Sequence, residues 1–194
     1  MKESLAGRKV LLGIAGGIAA YKTPELVRQL VQRGAEVRVV MTPAAARFVT
    51  PLALQTVSGQ PVLTDLFDLA PGAEVQHIAL ARWAQAALLA PATANILGKL
   101  AHGIADDPVT TVFLAVTAPT VLAPAMNDEM WRHPAVAESV TRLVGWGYVL
   151  VGPEEGFLAE GYSGVGRMSE PETIAEALAA ASGGRSITRA PAGP

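Results

Sequence analysis

Short apolar segments that read as buried strands alternate with helix-like segments along most of this chain. The predicted strands are Lys9–Gly16, Glu36–Thr42, Ala84–Ala92, Pro119–Met126 and Tyr148–Pro153. Strands that alternate with helices favour parallel pairing, with the connecting helices on both faces of one sheet. The sequence therefore predicts an α/β fold, a doubly wound parallel sheet in three layers. We expect one domain over residues 1–182 and a flexible tail or linker stub over residues 183–194, which are rich in Gly, Ser, Ala and Pro.

Helical segments follow these strands, and most of them end at a glycine. They are predicted at Ile18–Gly34, Pro51–Gly59, Thr93–Gly103, Asp106–Ala118, His133–Gly147 and Glu170–Ala181, the last of them capped by Ser169. Thr42 and Pro43 are typical of a helix start and predict a further helix. Gln60–Leu80 is less regular and predicts an extended segment or short strand near His77. Gly156–Met168 contains four glycines and predicts a flexible loop.

Composition excludes several classes of function. The chain has 194 residues, a net charge of −2 and no basic cluster, which argues against non-specific binding of nucleic acid. It has no cysteine, and its three histidines lack the spacing of metal ligands, so no metal site is predicted. No apolar stretch reaches the roughly 20 residues of a membrane span, and the N-terminus lacks the apolar core of a signal peptide. A soluble cytoplasmic protein is expected, and its 51% hydrophobic content suggests contact with other subunits.

A glycine-rich turn follows the first predicted strand, at the sheet edge where such folds bind ligands. Gly13, Gly16 and Gly17 allow a tight turn, and the free N–H groups of the next helix favour a phosphate there. The pattern is not G-x-G-x-x-G, and the second strand ends in Thr42 rather than in an acid. Both departures argue against a dinucleotide and leave a mononucleotide open, with the Thr42 hydroxyl a candidate donor. A turn that only packs helix on strand is equally compatible with these residues.

Polar side chains also follow the third and fourth predicted strands. Thr93 and Asn95 offer a hydroxyl and an amide at a helix start, although helix capping alone explains them. Asn127 follows the fourth strand and precedes Met130, which suits an apolar-walled cleft with one amide, or an ordinary loop. His77 is a candidate proton-transfer group if it points at this edge, and a structural histidine otherwise.

Five segments, in order and at suitable spacing, resemble one known family. They are GIAGGIAAYK at 13–22, HIALARWA at 77–84, APATANILGKLAHGIADD at 90–107, PAMNDEMW at 124–131 and GVGRMSEP at 164–171. The family is that of the homo-oligomeric flavin-containing cysteine decarboxylases, and the likeness runs from about Lys9 to the helix after Pro171. It implies a Rossmann-like flavoprotein that carries FMN. The implied FMN contacts are Gly13, Gly16, Gly17, Ile18, Thr42, Thr93, Ala94 and Asn95.

The resemblance also implies a chemistry and a set of site residues. The substrate would be 4′-phosphopantothenoylcysteine, whose cysteine moiety is oxidised, loses CO₂ and is reduced again to give 4′-phosphopantetheine for coenzyme A biosynthesis. His77 would be the acid or base, and Asn127 would bind the substrate carboxylate, with Met130, Gly161 and Arg167 also on the substrate side. Arg167 is alternatively the residue that anchors the end of the loop. A homotrimer or dodecamer, and a phosphopantothenate–cysteine ligase domain or subunit as partner, are expected by resemblance.

Glu160 marks one departure from the family pattern. The substrate loop of the family reads L-A-C-G, where the cysteine donates a proton in the reductive step, whereas this chain reads Leu158-Ala159-Glu160-Gly161. Loop closure over an apolar cleft could favour protonated Glu160 and let it donate instead. Alternatively the reaction stops at the enethiol, or the protein binds FMN without turnover. Glu160 could also be an exposed loop acid with no role.

Overall fold

The central sheet has six parallel strands. The computed structural model describes residues 5–67 and 76–183. Its strands are β1 Lys9–Ile14, β2 Glu36–Met41, β3 Val62–Leu63, β4 Ala86–Ala92, β5 Thr120–Pro124 and β6 Val149–Leu150. They pair in the order β3-β2-β1-β4-β5-β6, which confirms the doubly wound parallel sheet. The order reverses between β1 and β4, so the ligand crevice is expected at their carboxyl ends.

Helices cover both faces of this sheet, as predicted. They are α1 Thr23–Gln32, α2 Pro51–Ser58, α3 Gln76–Trp83, α4 Ala94–Ala101, α5 Pro108–Ala115, α6 Asp128–Arg132, α7 Pro134–Gly145 and α8 Pro171–Ala181, with 3-10 helices at Ile18–Lys22 and Ala45–Arg47. One buried cluster joins the sheet to α1, α2 and α8, and a second joins it to α3, α4, α5 and α7. Residues 184–194 of the expected tail lie outside the described residues.

Two local predictions in the first half of the chain were wrong. His77 does not lie in an extended segment, because α3 begins one residue before it. Leu80 and Ala81 of α3 are buried in the cluster that contains α5, so tertiary packing decides its conformation. The helix predicted from Thr42 is only the single 3-10 turn at 45–47, in which the Thr42 hydroxyl accepts a hydrogen bond from the Ala45 N–H at 3.1 Å.

Two further predictions were wrong near the C-terminal end. The predicted loop at 156–168 lies largely within an antiparallel hairpin, which pairs β7 Glu154–Phe157 with β8 Ser163–Arg167 outside the central sheet. Its glycines hid the strand pattern, because they contribute no apolar side chain to the alternation. Ser169 does not cap α8: the N-cap is Glu170, with Pro171 at the first helical position. Ser169 is instead buried.

Gly13 lies inside β1, where a side chain would enter the core. A Cβ at this position would be 2.5 Å from Phe113 Cε2 and 2.9 Å from Leu89 Cδ1. We therefore expect Gly13→Ala to lower the free energy of unfolding by about 1–3 kcal/mol, as other overpacked cores do. Thermal denaturation of the two proteins measures the difference.

Gly98 provides the matched control for Gly13. It lies in α4, and a Cβ there would meet nothing within 4 Å. Gly98→Ala is expected to raise stability by about 0.5–1 kcal/mol, because alanine favours the helix. Equal effects of the two substitutions would show that packing against Phe113 is not what requires Gly13.

Candidate active site

The turns after β1, β2 and β4 adjoin one another at the carboxyl edge of the sheet. A Cβ at Gly17 would lie 3.1 Å from Thr93 Cγ2, and one at Gly16 would lie 2.8 Å from the carbonyl carbon of Ala44. The glycines therefore let these three turns approach closely. Gly13 lies within β1, and a glycine is needed there because a Cβ would collide with Phe113 and Leu89.

The first turn has the properties of an anion site. Gly17 is extended, with φ −157° and ψ 160°, and no side chain caps the 3-10 helix that follows. Its first N–H groups thus remain available to a phosphate. Ile18, the first residue of that helix, is 60% exposed.

Two threonine hydroxyls lie on neighbouring turns. Thr42 Oγ1 accepts from the Ala45 N–H, and Thr93 Oγ1 accepts from the Ile96 N–H at 3.5 Å, so both cap the backbone. Because a hydroxyl can accept and donate together, each keeps its proton for an anion. Capping and phosphate binding are therefore compatible at these residues. Ala94 and Asn95 open α4 directly after Thr93, and Asn95 is exposed.

Asn127 sits between β5 and α6 in a fixed orientation. Its Oδ1 accepts from the Glu129 N–H at 2.9 Å, which caps α6. Its Nδ2 donates to the hydroxyl of Tyr162 on the hairpin, also at 2.9 Å. An amide nitrogen has two hydrogens, so one remains for a further acceptor such as a carboxylate.

Tyr162 and Asp128 form the strongest polar contact between the hairpin and the sheet edge. The Tyr162 hydroxyl donates to Asp128 Oδ1 at 2.6 Å, and Arg132 Nη2 lies 3.0 Å from Asp128 Oδ2. The hydrogen bond from Tyr162 is the main cause that lowers the pKa of Asp128, against the effect of burial, and Arg132 adds to it. The same bond raises the pKa of Tyr162 above its ordinary value. At neutral pH the pair is thus a carboxylate and a neutral phenol.

Glycines of β8 let the hairpin lie directly on this junction. A Cβ at Gly164 would be 2.9 Å from the Asp128 carboxyl carbon, and one at Gly166 would collide with the Met126 carbonyl oxygen. The Met126 N–H donates to the Gly166 carbonyl at 3.0 Å. Backbone contact therefore docks the hairpin beside Asn127, and side chains would prevent it.

Arg167 anchors the base of the hairpin. Its guanidinium lies 3.0 Å from Glu154 on β7 and 3.0 Å from Glu170 before α8. Lys22, in the 3-10 helix after the glycine turn, also lies 3.0 Å from Glu170. This ion-pair network matches the anchoring alternative for Arg167 and connects the hairpin to the candidate phosphate turn.

The remaining predicted substrate residues are open to solvent. Glu160 and Gly161 lie in the turn between β7 and β8, and Gly161 has φ +91°, a conformation that favours glycine. The backbone N–H of Gly161 donates to the Leu158 carbonyl at 3.0 Å, which closes this turn. Met130 is 48% exposed on α6.

His77 is partly buried in the first turn of α3. Its neighbour Gln76 lines a cavity of about 540 Å³ between α3 and the edge strand β3, together with Arg38, Leu63 and Leu80 among others. None of the glycine, threonine or asparagine residues predicted for the site lines that cavity. The connection between Phe67 and Gln76 lies outside the described residues.

Sequence reasoning missed Asp128 and Tyr162. Asp128 stands next to Asn127 within PAMNDEMW, and Tyr162 is one of two aromatics in the predicted loop. Both residues therefore lie in segments to which the sequence had already drawn attention. Their partnership depends on the hairpin fold, since 34 positions separate them. Only a prediction that paired 154–157 with 163–167 would have brought them together.

Neither a metal centre nor a membrane span is found among the described residues. Over residues 5–67 and 76–183, no three His, Cys, Asp or Glu side chains are grouped so that they could hold a metal ion. In the same residues no helix has the length and apolar character needed to cross a membrane.

Comparison with known families identifies the family of this fold. The family model described as Flavoprotein matches residues 1–183. The chain belongs to the flavoprotein family. The glycine turn, the threonines and Asn127 follow strands on both sides of the strand-order reversal, at the carboxyl edge of the sheet.

Similar curated proteins are bifunctional enzymes. The chain is 53% identical over 169 residues to the coenzyme A biosynthesis bifunctional protein CoaBC of Vibrio cholerae, a match that covers 87% of this chain and 42% of that protein. It is 51% identical over 173 residues to the CoaBC of Escherichia coli strain K12, with 89% and 43% covered. The chain thus spans less than half the length of these relatives.

Similar solved structures are single flavoprotein domains. One is a cysteine-to-serine mutant of PPC decarboxylase complexed with pantothenoylaminoethenethiol, with TM-score 0.80, 34% identity, and coverage of 89% of this chain and 96% of that chain. Another is the FMN-dependent cysteine decarboxylase SpaF, with TM-score 0.81, 35% identity, and coverage of 93% and 100%. The flavoprotein fold therefore extends over nearly the whole of these proteins.

Proposed function

We propose that this flavoprotein binds FMN and converts 4′-phosphopantothenoylcysteine to 4′-phosphopantetheine and CO₂ in the cytoplasm. The observation that carries this is the hairpin docked on Asn127 at the same sheet edge as the uncapped glycine turn. A cofactor phosphate on the turn and a substrate carboxylate on the amide would then lie in one crevice. The names of the CoaBC relatives and of the PPC decarboxylase structure support this reaction. They favour it over a reaction that stops at the enethiol and over FMN binding without turnover.

The glycine turn, with its neighbours, fits the phosphate of FMN. Uncapped N–H groups after Gly17 and the hydroxyls of Thr42 and Thr93 are donors, and donors are what a phosphate requires. The cradle is narrow because Gly16 leaves no room for a Cβ and Gly17 leaves only enough for a tight contact with Thr93. Ile18, Ala94 and Asn95 are proposed to complete the contacts. FMN, when bound, supplies the electron sink for oxidation of the substrate's cysteine moiety.

The protein's own side chains carry out the remaining steps. The free Nδ2 hydrogen of Asn127 holds the substrate carboxylate until CO₂ leaves, with Met130 and Gly161 beside it. The imidazole of His77 moves the proton of the substrate thiol, because an imidazole exchanges protons near neutral pH. The hairpin restricts water from the reacting atoms, and Arg167 holds its base through Glu154 and Glu170.

Glu160 is the proposed proton donor of the reductive step, in place of the family cysteine. The turn at 158–161 presents it at the hairpin tip, the position of the cysteine in the L-A-C-G pattern. A proton from this acid, together with the hydride that reduced FMN would supply, would complete the reaction from the enethiol to the thiol. Without a donor, the enethiol would accumulate.

In air, Glu160→Gln is expected to leave CO₂ release within about threefold of the unsubstituted enzyme while most of the product becomes the enethiol, because molecular oxygen would take the two electrons that the substrate no longer takes back. The amide keeps the size of the side chain but cannot donate as an acid. Glu160→Cys restores the family residue and is expected to yield the reduced product again. Mass spectrometry distinguishes the two products, which differ by two hydrogens. Unchanged, fully reduced product from Glu160→Gln would exclude Glu160 as the donor.

The function is tested most simply by colour and gas release. Purified protein is expected to be yellow with the absorbance of bound FMN, and to release CO₂ from the substrate. Protein that is yellow but releases no CO₂ would favour a flavin-binding protein without turnover. Colourless protein that does not take up FMN would contradict both the proposed decarboxylation and flavin binding without turnover.

The assembly is also a proposal. We propose a homotrimer or a homododecamer, because Ile18, Tyr21 and Leu52 are 60%, 62% and 72% exposed, and exposed apolar side chains are common at subunit contacts. The bifunctional names of the CoaBC relatives support a phosphopantothenate–cysteine ligase domain or subunit as partner. Residues 183–194 are proposed to be the linker toward it.

A further inference from the structure

We infer that Tyr162 is a positioning residue, which holds the hairpin closed and fixes the amide of Asn127 for the substrate carboxylate. This inference rests on the proposed function for the role of Asn127. It concerns a residue to which neither the family resemblance nor the comparisons assign a role. Three observations on the structure support it.

The first support is the position of the phenol hydroxyl between two groups of the sheet edge. It donates to Asp128 Oδ1 at 2.6 Å and accepts from Asn127 Nδ2 at 2.9 Å. Since a hydroxyl has one proton, the direction of both bonds is fixed when Asp128 is ionised. The Asn127 amide is therefore held at both ends, by Tyr162 and by the Glu129 N–H.

The second support is the environment of Asp128. Asp128 is only 5% exposed, and its Oδ2 lies 3.0 Å from Arg132 Nη2. A buried carboxylate needs hydrogen-bond partners, and Tyr162 supplies the shortest one. Opening the hairpin would remove that partner, so the closed state is favoured.

The third support is the location of Tyr162 on the hairpin. It lies at the end of the tip turn, where its carbonyl accepts from the Leu158 N–H at 2.8 Å. Arg167 anchors the base of the hairpin, and Tyr162 is a polar side-chain attachment beside its tip.

A role as proton donor is less consistent with this geometry. The hydroxyl proton of Tyr162 already points to Asp128, and the carboxylate makes the phenol a weaker acid. Donation to substrate would require Tyr162 to leave both partners. Positioning needs no such movement.

Tyr162→Phe tests the inference, because it keeps the ring and removes both hydrogen bonds. We expect KM for 4′-phosphopantothenoylcysteine to rise about tenfold, with kcat within about twofold, since a hydrogen bond to a charged group is lost from the closed state. Amide hydrogen exchange of residues 158–163 in the FMN-loaded protein without substrate is expected to accelerate about tenfold. Asp128→Asn, which keeps an oxygen acceptor, is expected to show smaller changes in the same directions.

Ser163→Ala is the matched control. Ser163 is the exposed neighbour of Tyr162, and its substitution is expected to change neither KM nor exchange. Unchanged exchange in Tyr162→Phe would overturn the inference whatever the activity. A fall in kcat at constant KM, with enethiol as product, would overturn it in favour of a proton donor. If the unsubstituted enzyme releases no CO₂, the proposed function fails, and the role of Asn127 toward substrate fails with it, while the exchange still reports the hairpin contact.

Discussion

His77→Asn is expected to lower the rate of CO₂ release by about 10²–10⁴-fold while the protein remains yellow. This range is typical for the loss of a positioned acid or base. An asparagine amide has nearly the same reach as the imidazole but exchanges no proton near neutral pH. His77 lies on α3, whereas the candidate phosphate contacts lie after β1, β2 and β4, so FMN absorbance should be retained. Rate and absorbance are measured on the same preparation.

His102 is the control histidine for this experiment. It is exposed at the end of α4, where its Nδ1 lies 2.8 Å from the Gly98 carbonyl oxygen. His102→Asn is expected to retain the full rate. A His77→Asn protein that keeps the full rate would show that the proton passes through another group.

Gly166→Ala is expected to lower kcat/KM by about 10²-fold. The new Cβ would collide with the carbonyl oxygen of Met126, which belongs to the backbone and cannot rotate away. The hairpin must then shift from the β5–α6 junction, and a displacement of about 1 Å at a site costs about this much in rate. The central sheet does not contain Gly166, so FMN absorbance should persist.

Glu155→Ala is the control for Gly166→Ala. Glu155 is an exposed residue of the opposite hairpin strand, and its pairing with Val165 uses only the backbone. Its removal is expected to leave kcat/KM within about twofold. Hydrogen exchange over 154–167 should rise in Gly166→Ala alone. Full activity in Gly166→Ala would show that the docked hairpin is not required for turnover.

The sheet was predictable because its signals are local. Most of its longer strands are nearly continuous apolar segments, as β4 shows with seven buried residues, and parallel order follows from the helices between them. Helix starts at Thr50 and Thr93 carry their own caps, whose hydroxyls accept from the backbone. The glycine turn and Asn127 were predictable as strand exits for the same reason.

The hairpin and α3 were not predictable because the contacts that stabilise them come from residues distant in sequence. α3 is fixed by burial of Leu80 and Ala81 against other elements, and eight residues give too short a period to distinguish a helix from an extended segment. β8 is held by the backbone of Met126 and by Asp128, not by its own apolar pattern. The Tyr162–Asp128 contact could be predicted only if the hairpin and α6 were both placed correctly.

The central claim is a complete decarboxylation, and product analysis tests it most directly. The FMN-loaded protein should be incubated with 4′-phosphopantothenoylcysteine, and CO₂ and the organic product measured together. We predict one CO₂ for each 4′-phosphopantetheine, with the product fully reduced. A yellow protein that releases no CO₂, or one whose product lacks two hydrogens as the enethiol, would contradict the account.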